Sequence, residues 1–192
     1  MNVSASRATH AIVAGARRLG FRYECYRVLR VPLLGNARLP VPSLPPGFRI
    51  AEVAMDDVSR SADAEIRDCD WYGGGDAIGF AVRDPAGRIA CLQWLWFGSR
   101  YEHAAFWELA ASEAASMHLV TLPEYRNRGL ATALKQASAR AMAERGFTAL
   151  YSRVWWTNTP SLRVSEKSGW LRVGTTLRIF LPARSAPVDI RW

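Results

Sequence analysis

The stretch LVTLPEYRNRGLATALKQASARAM, residues 119–142, constrains this chain more than any other. An apolar, β-prone run ends at Pro123, passes through Arg126, Asn127, Arg128 and Gly129, and becomes a helix. Leu130, Leu134, Ala137 and Ala141 recur at helical spacing, and Gly146 is a natural left-handed stop. A surface turn has no need of those four loop residues in that order, whereas a loop that wraps an anion does. The helix that begins near Gly129 presents unpaired N–H groups and the positive end of its dipole. Gly129 lacks a Cβ, so a phosphate can approach the backbone closely, and Ala131 is small for the same reason. Arg126 and Arg128 add charge at the rim, so the loop suits a pyrophosphate.

The elements around this loop read as mixed α/β. Residues 5–19 predict a short helix, and FRYECYRVLRV a strand. PLLGNARLPVPSLPPGF, with five prolines, is a linker that places a boundary near residue 46. The reading is therefore a basic helix-strand extension and linker over 1–46 and one domain over 47–192. In that domain FRIAEV is a strand, and Asp56 or Asp57 caps a helix to about Arg67. DWYGGGD is a turn whose three glycines suit either a flap or a plain loop. RDPAG joins AIGFAV and GRIACLQWLWFG as a hairpin. YEHAAFWEL and SMHLVTL read as further strands, as does TALYSRVWW. TNTPSLRVSEKSGW holds a short helix with Asn158 or Thr159 as cap, Pro160 in the first turn and Gly169 as stop. LRVGTTLRIFL closes the chain as a strand.

Charge is concentrated. Residues 1–49 carry eight arginines and a single acid, Glu24, which accounts for nearly all of the formal net charge of +8. Such asymmetry suits an anionic partner: nucleic acid, anionic lipid or an acidic carrier protein. Nucleic acid is the weakest of these, because the segment has few interleaved aromatics and no reader motif. Cys25, Cys69 and Cys91 are far apart, form no CxxC pair and have no zinc spacing, so no metal is expected and the thiols read as reduced in a cytoplasmic protein. No apolar run approaches the ~20 residues of a membrane span.

The residues of the loop resemble the GNAT acyltransferase superfamily. RNRGLA (126–131) matches that family's [QR]-x-x-G-x-[GA] signature at all three fixed places. Asn158, Ser161, Glu166, Lys167, Gly169 and Trp170 match its second signature. The resemblance covers roughly residues 48–181. It implies a GNAT-like α/β (α+β) fold, with a mixed, mostly antiparallel sheet flanked by helices and splayed fourth and fifth strands. It implies an N-acetyltransferase that uses acetyl-CoA as co-substrate and a primary amine as acceptor. Leu119, Val120 and Thr121 would pair with the pantetheine amides like an added strand. Arg126, Asn127, Arg128, Gly129, Leu130 and Ala131 would hold the pyrophosphate, Asn158 would touch the pantetheine, and a backbone N–H near Val120 would polarise the thioester carbonyl.

Acid and base candidates depart from the family pattern. Where many members carry a Glu, near position 115, this chain has Ala115, and Glu113 lies two residues upstream. His118, within the strand, has a side chain suited to base work. The Tyr that many members place before Glu-Lys is Ser165 here, which is able to orient a water. Trp94, Trp96 and Trp107 suit either an acceptor groove or a core, and Glu102, Glu108 and Glu113 would suit a cationic acceptor. The acceptor is left open between a small-molecule amine and a protein N-terminus. So are an acyl carrier protein as donor, a degenerate domain that binds CoA without turnover, and a homodimer.

Overall fold

The computed structural model describes residues 22–33, 43–181 and 186–192. The predicted helix over 5–19 and most of the Pro-rich linker lie outside them. Eight strands form one sheet: β1 (Arg22–Pro32), β2 (Arg49–Val53), β3 (Ala77–Arg83), β4 (Ile89–Trp96), β5 (Glu113–Thr121), β6 (Ala149–Trp155), β7 (Leu171–Phe180) and β8 (Val188–Arg191). Their spatial order is β2-β3-β4-β5-β6-β1-β7-β8. Every neighbouring pair is antiparallel except β5 and β6. The strand that the sequence places in an N-terminal extension is thus an interior strand, paired on both sides with β6 and β7. Two facing partners bury Val28, Leu29 and Val31 more deeply than weak alternation in sequence suggested.

Helix α4 (Leu130–Glu144) makes the connection between the parallel strands, as a parallel pair requires. It covers the sheet face to which Gln93 and Leu95 point; Ser138 Oγ of α4 donates to Gln93 Oε1 at 2.9 Å. The opposite face carries Trp94 and Trp96, as strand alternation predicts. It is covered by α1 (Met55–Ser59), α2 (Ala64–Arg67) and a 3₁₀ turn, Asp70–Tyr72. Gly79 is required there: a Cβ at that position would lie 2.6 Å from the Trp94 ring. The single helix expected to run to Arg67 is two short ones, because the chain turns at Ser61, whose Oγ accepts the Asp63 N–H.

YEHAAFWEL is not a strand. It forms α3 (Gly98–Glu102) followed by a loop. The Tyr101 hydroxyl donates to Trp107 O (2.8 Å) and accepts from Trp107 N (3.0 Å), which holds the segment curled over buried Phe106. The helix expected after the second signature is α5 (Thr159–Lys167), with Asn158 as N-cap and its Oδ1 accepting the Ser161 N–H at 3.2 Å. Gly169 follows it at φ +83°.

Leu130 and Leu134 are buried as the periodicity predicts, at about 1.5–3 kcal/mol for each side chain. However, α4 also buries Lys135, Gln136 and Ser138, because it packs on α5 as well as on the sheet. The Lys135 ammonium sits 3.7 Å from the centroid of the Trp170 ring, with no carboxylate at salt-bridge distance among the described residues. Burial lowers its pKa to about 7. The unfolded chain therefore binds a proton that the folded chain lacks between about pH 7 and the ordinary lysine value, and stability contributed at this site rises with pH across that window. Burial raises the Cys69 thiol to about 11, so opposing effects begin at higher pH. Urea midpoints of wild type and Lys135→Met, compared from pH 7 to pH 9, should show wild type gaining on the variant as pH rises. A difference independent of pH would contradict a desolvated lysine.

Candidate active site

The loop before α4 is held from outside the helix. Residues Pro123–Tyr125 form a 3₁₀ turn, and the Tyr125 hydroxyl donates to Asp84 Oδ2 at 2.6 Å. That bond keeps the Asp84 carboxyl below its ordinary pKa. Arg88, in the β3–β4 turn, bonds Asp63 and lies 2.7 Å from Glu124. The hairpin turn thereby anchors the loop. Arg126 Nε donates to Thr121 O at 3.1 Å, folding the loop back on the end of β5. The guanidinium of Arg128 lies 5.5 Å from the Tyr125 ring centroid.

Positive φ angles at Asn127 (+62°) and Gly129 (+77°), on either side of Arg128, turn the chain into the helix. No side chain caps α4, whose first intrahelical bond runs from Ala133 N to Gly129 O. A Cβ built on Gly129 meets nothing within 4 Å, so the helix mouth is open rather than plugged.

The strands beside this mouth diverge. β5 and β6 pair only from Glu113 with Ala149 to Ser116 with Ser152. Beyond that point β5 follows β4, out to Thr121 opposite Cys91, while β6 follows β1, out to Trp155 opposite Tyr26. Met117 is an extra residue in the β4–β5 ladder, since His118 pairs with Trp94 and Ser116 with Leu95. Such a bulge bends its strand, and this one lies where the fork opens. A cavity of about 760 Å³ fills the space between fork, loop and helix ends. Leu119, Val120, Thr121, Arg126, Asn127, Gly129, Leu130, Ala131 and Asn158 all line it. The family resemblance implied a cofactor role for each of these. Arg128, the tenth, stays at the rim against Tyr125.

A second cavity, of about 450 Å³, lies on the Trp96 face and reaches Ser116 and Met117 at the base of the fork. Trp71, Tyr72 and Trp96 form one wall, with Tyr26 and Arg153 among its other lining residues. Of these the sequence reading singled out only Trp96. Tyr72 stacks on His118 (centroids 4.5 Å apart, planes at 24°). His118 Nε2 is 3.2 Å from Cys69 Sγ, and Cys69 Sγ is 3.0 Å from Glu65 O. Burial lowers the His118 pKa below the usual imidazole value and raises that of Tyr72, so both are neutral near pH 7.

His118 itself lines neither cavity but packs against Tyr72, which lines the second. The other acid and base candidates also lie outside both. Glu113 starts β5, roughly 20 Å of strand before Leu119. It accepts the Ala110 N–H at 3.0 Å, lies 3.4 Å from the Tyr151 hydroxyl and faces Arg30 at 3.6 Å. These partners occupy its carboxylate away from both cavities. Ser165, whose hydroxyl was expected to orient a water, is only 1% exposed and lines neither cavity. Glu102 and Glu108 are exposed and line neither cavity. Among the described residues no group of His, Cys, Asp and Glu is arranged to hold a metal, and no helix is long and apolar enough to cross a membrane.

The profile described as the Acetyltransferase (GNAT) family matches residues 48–170. No curated protein matches the sequence. Similar folds occur in a GCN5-related N-acetyltransferase from Sphaerobacter thermophilus (TM-score 0.59, 14% identity, 89% of this chain and 56% of that one). They occur also in a protein assigned to the GNAT family from Novosphingobium aromaticivorans (0.53, 23% identity, 81% and 63%). A tandem GNAT protein from the clavulanic acid biosynthesis pathway is a third (0.57, 16% identity, 93% and 55%). This chain therefore spans between 55% and 63% of the length of these relatives. At such identities the likeness establishes the fold.

The left-handed angle at Gly129 generates its own prediction. Gly129→Val should destabilise the fold by about 1–2 kcal/mol, and Gly129→Asn by less, since Asn tolerates that conformation. Denaturant midpoints of the two variants check the order. Equal stability of all three proteins would mean that the turn relaxes without cost.

Proposed function

The chain belongs to the GNAT acetyltransferase family, and from that premise we propose that it transfers an acetyl group from acetyl-CoA to a primary amine of a small molecule. The observation that carries this reading is the continuity of the fork between β5 and β6 with the uncapped mouth of α4. A diphosphate fits the mouth because the first-turn N–H groups have no side-chain cap and Gly129 leaves open space in front of them. An extended arm fits the fork because Leu119–Thr121 lack the parallel partner that earlier residues of β5 have. Bound acetyl-CoA would supply an activated acyl group at the base of the fork.

The chain's own part is to place an amine there, remove its proton and exclude bulk water. The second cavity reaches the fork at Ser116 and Met117, so an acceptor enters from the Trp96 face while the donor lies on the α4 side. His118 is our assigned base, acting through water. With the thiol proton given to the Glu65 carbonyl, Nε2–H donates to Cys69 sulfur and Nδ1 keeps its lone pair. Desolvation supports this role, since it keeps the imidazole neutral near pH 7. Tyr72 holds the ring by stacking and stays protonated.

Calorimetry with acetyl-CoA should give micromolar affinity, about −7 to −8 kcal/mol. Arg126→Glu and Gly129→Val should weaken it at least tenfold while the variants stay folded by circular dichroism. No heat and no thermal shift with wild type would refute the donor site.

His118→Gln should lower kcat/KM by about 100-fold, within the usual range for a general base. For wild type, log kcat/KM should fall as pH drops through a value below the ordinary imidazole pKa, because protonation abolishes the base. That acid limb should vanish in the variant. An unchanged limb would remove His118 from the role.

A further inference from the structure

We propose that the cavity on the Trp96 face takes an α-amino acid with an aromatic or large apolar side chain, whose carboxylate is held by Arg153. The inference rests on the acyl-transfer reading for the fate of the amine, but its own grounds are the lining of this cavity.

Arg153 is the first residue of β6 beyond the last β5 pairing, Ser116 with Ser152. It therefore stands at the base of the fork, beside the place where an acceptor nitrogen must lie. Its guanidinium is gripped by two rings, 4.9 Å from the Tyr26 centroid and 5.2 Å from that of Phe106. Among the described residues it has no carboxylate at salt-bridge distance. Glu24 and Asp189 line a neighbouring cavity that Arg153 also borders, but neither reaches salt-bridge distance, so the half-buried guanidinium keeps its fork of donors for a planar carboxylate. Because this charge sits next to the fork, the carboxylate must be close to the reacting nitrogen, as it is in an α-amino acid.

The opposite wall selects the remainder of the molecule. Trp71 and Tyr72 have centroids 3.8 Å apart, and Trp96 lies 6.0 Å from Trp71 and 5.7 Å from Tyr72. Trp96 Nε1 donates to Tyr72 O at 2.7 Å, which fixes the panel. Neither Asp nor Glu lines the cavity. The Arg100 guanidinium already lies 4.7 Å from the Trp96 centroid, so a cationic side chain there meets repulsion rather than an aromatic cage. Polyamines and polycationic amino sugars lack the anion that Arg153 awaits and would bring charge that the wall does not neutralise. The cavity's 450 Å³ lies within the ordinary range for small-molecule sites.

The test compares phenylalanine and leucine with their carboxamides, with phenethylamine and with spermidine, as acceptors of acetyl from acetyl-CoA in a thiol-release assay. For wild type, kcat/KM should be about 10- to 100-fold higher for each acid than for its carboxamide, the range expected for charge-assisted hydrogen bonds. In Arg153→Gln that ratio should collapse toward one, and Arg153→Lys should restore part of it. A wild-type preference for the carboxamide, phenethylamine or spermidine would overturn the proposal, as would an unchanged ratio in Arg153→Gln. Calorimetric titration of phenylalanine and its carboxamide into the CoA-loaded protein separates this idea from the reaction it rests on. Acid-selective binding lost in Arg153→Gln upholds the cavity even without turnover, in which case only the acyl-transfer reading fails. Equal binding of acid and carboxamide, or none, sinks the assignment whatever the protein catalyses.

Discussion

The parting of β5 from β6 after a short run of paired residues is the constraint on which the rest of the structure depends. Two neighbouring strands in a sheet normally satisfy one another's backbone along their whole overlap. Here each strand follows its other neighbour instead. β5 stays on β4 through a bulge at Met117, and β6 stays on β1. The interior position of β1 is thus a cause of the fork, because without that strand β6 would have no competing partner beyond Ser152. The backbone left unpaired between the strands is what makes a polar, extended ligand a good fit.

The fork needs a rigid frame. Buried hydrogen bonds run from Ser138 on α4 through Gln93 on β4 to Ser116 at the last paired position of β5. A fully satisfied polar chain of this kind ties the helix to the point of divergence at a fixed height, whereas apolar contacts alone would allow sliding. On the loop side, the Tyr125–Asp84 bond and the Arg88 contacts to Asp63 and Glu124 tie the loop to a hairpin turn that is distant in sequence. The helix mouth is therefore held from both ends, which gives the open space before Gly129 a defined shape.

The two cavities differ in character in keeping with the ligands argued for them. The one at the helix mouth is bounded by backbone amides, small residues and arginine, a set that answers to phosphate. The one on the Trp96 face combines an aromatic wall with a single guanidinium and no acid. Tyr72 lines the second cavity and stacks on His118 behind it, and burial keeps both neutral. Glu113, Glu102 and Glu108 line neither cavity: Glu113 is engaged by Arg30 and Tyr151, and the other two are exposed.

Local chemistry made the loop before α4 legible from the chain alone. Gly129 at a left-handed turn, Pro123 before it, and the Asn158 cap with Gly169 after α5 are short-range signals, each decided by backbone sterics within a few residues. The helix and its apolar positions Leu130 and Leu134 follow from periodicity, as does the face shared by Trp94 and Trp96. What periodicity could not carry was any contact made across the sheet. The place of β1 between β6 and β7, the curl of 103–112 around the Tyr101 hydroxyl, the burial of Ser165 and Lys135, and the meeting of His118 with Cys69 and of Arg153 with the aromatic wall join residues far apart in sequence. The chain by itself determined the loop and open helix end to which we assign an anion, because both are built within a few residues of one another. Only the tertiary structure decided what lines the second cavity, because its wall is assembled from strands and turns whose pairing is set by long-range burial and hydrogen bonding.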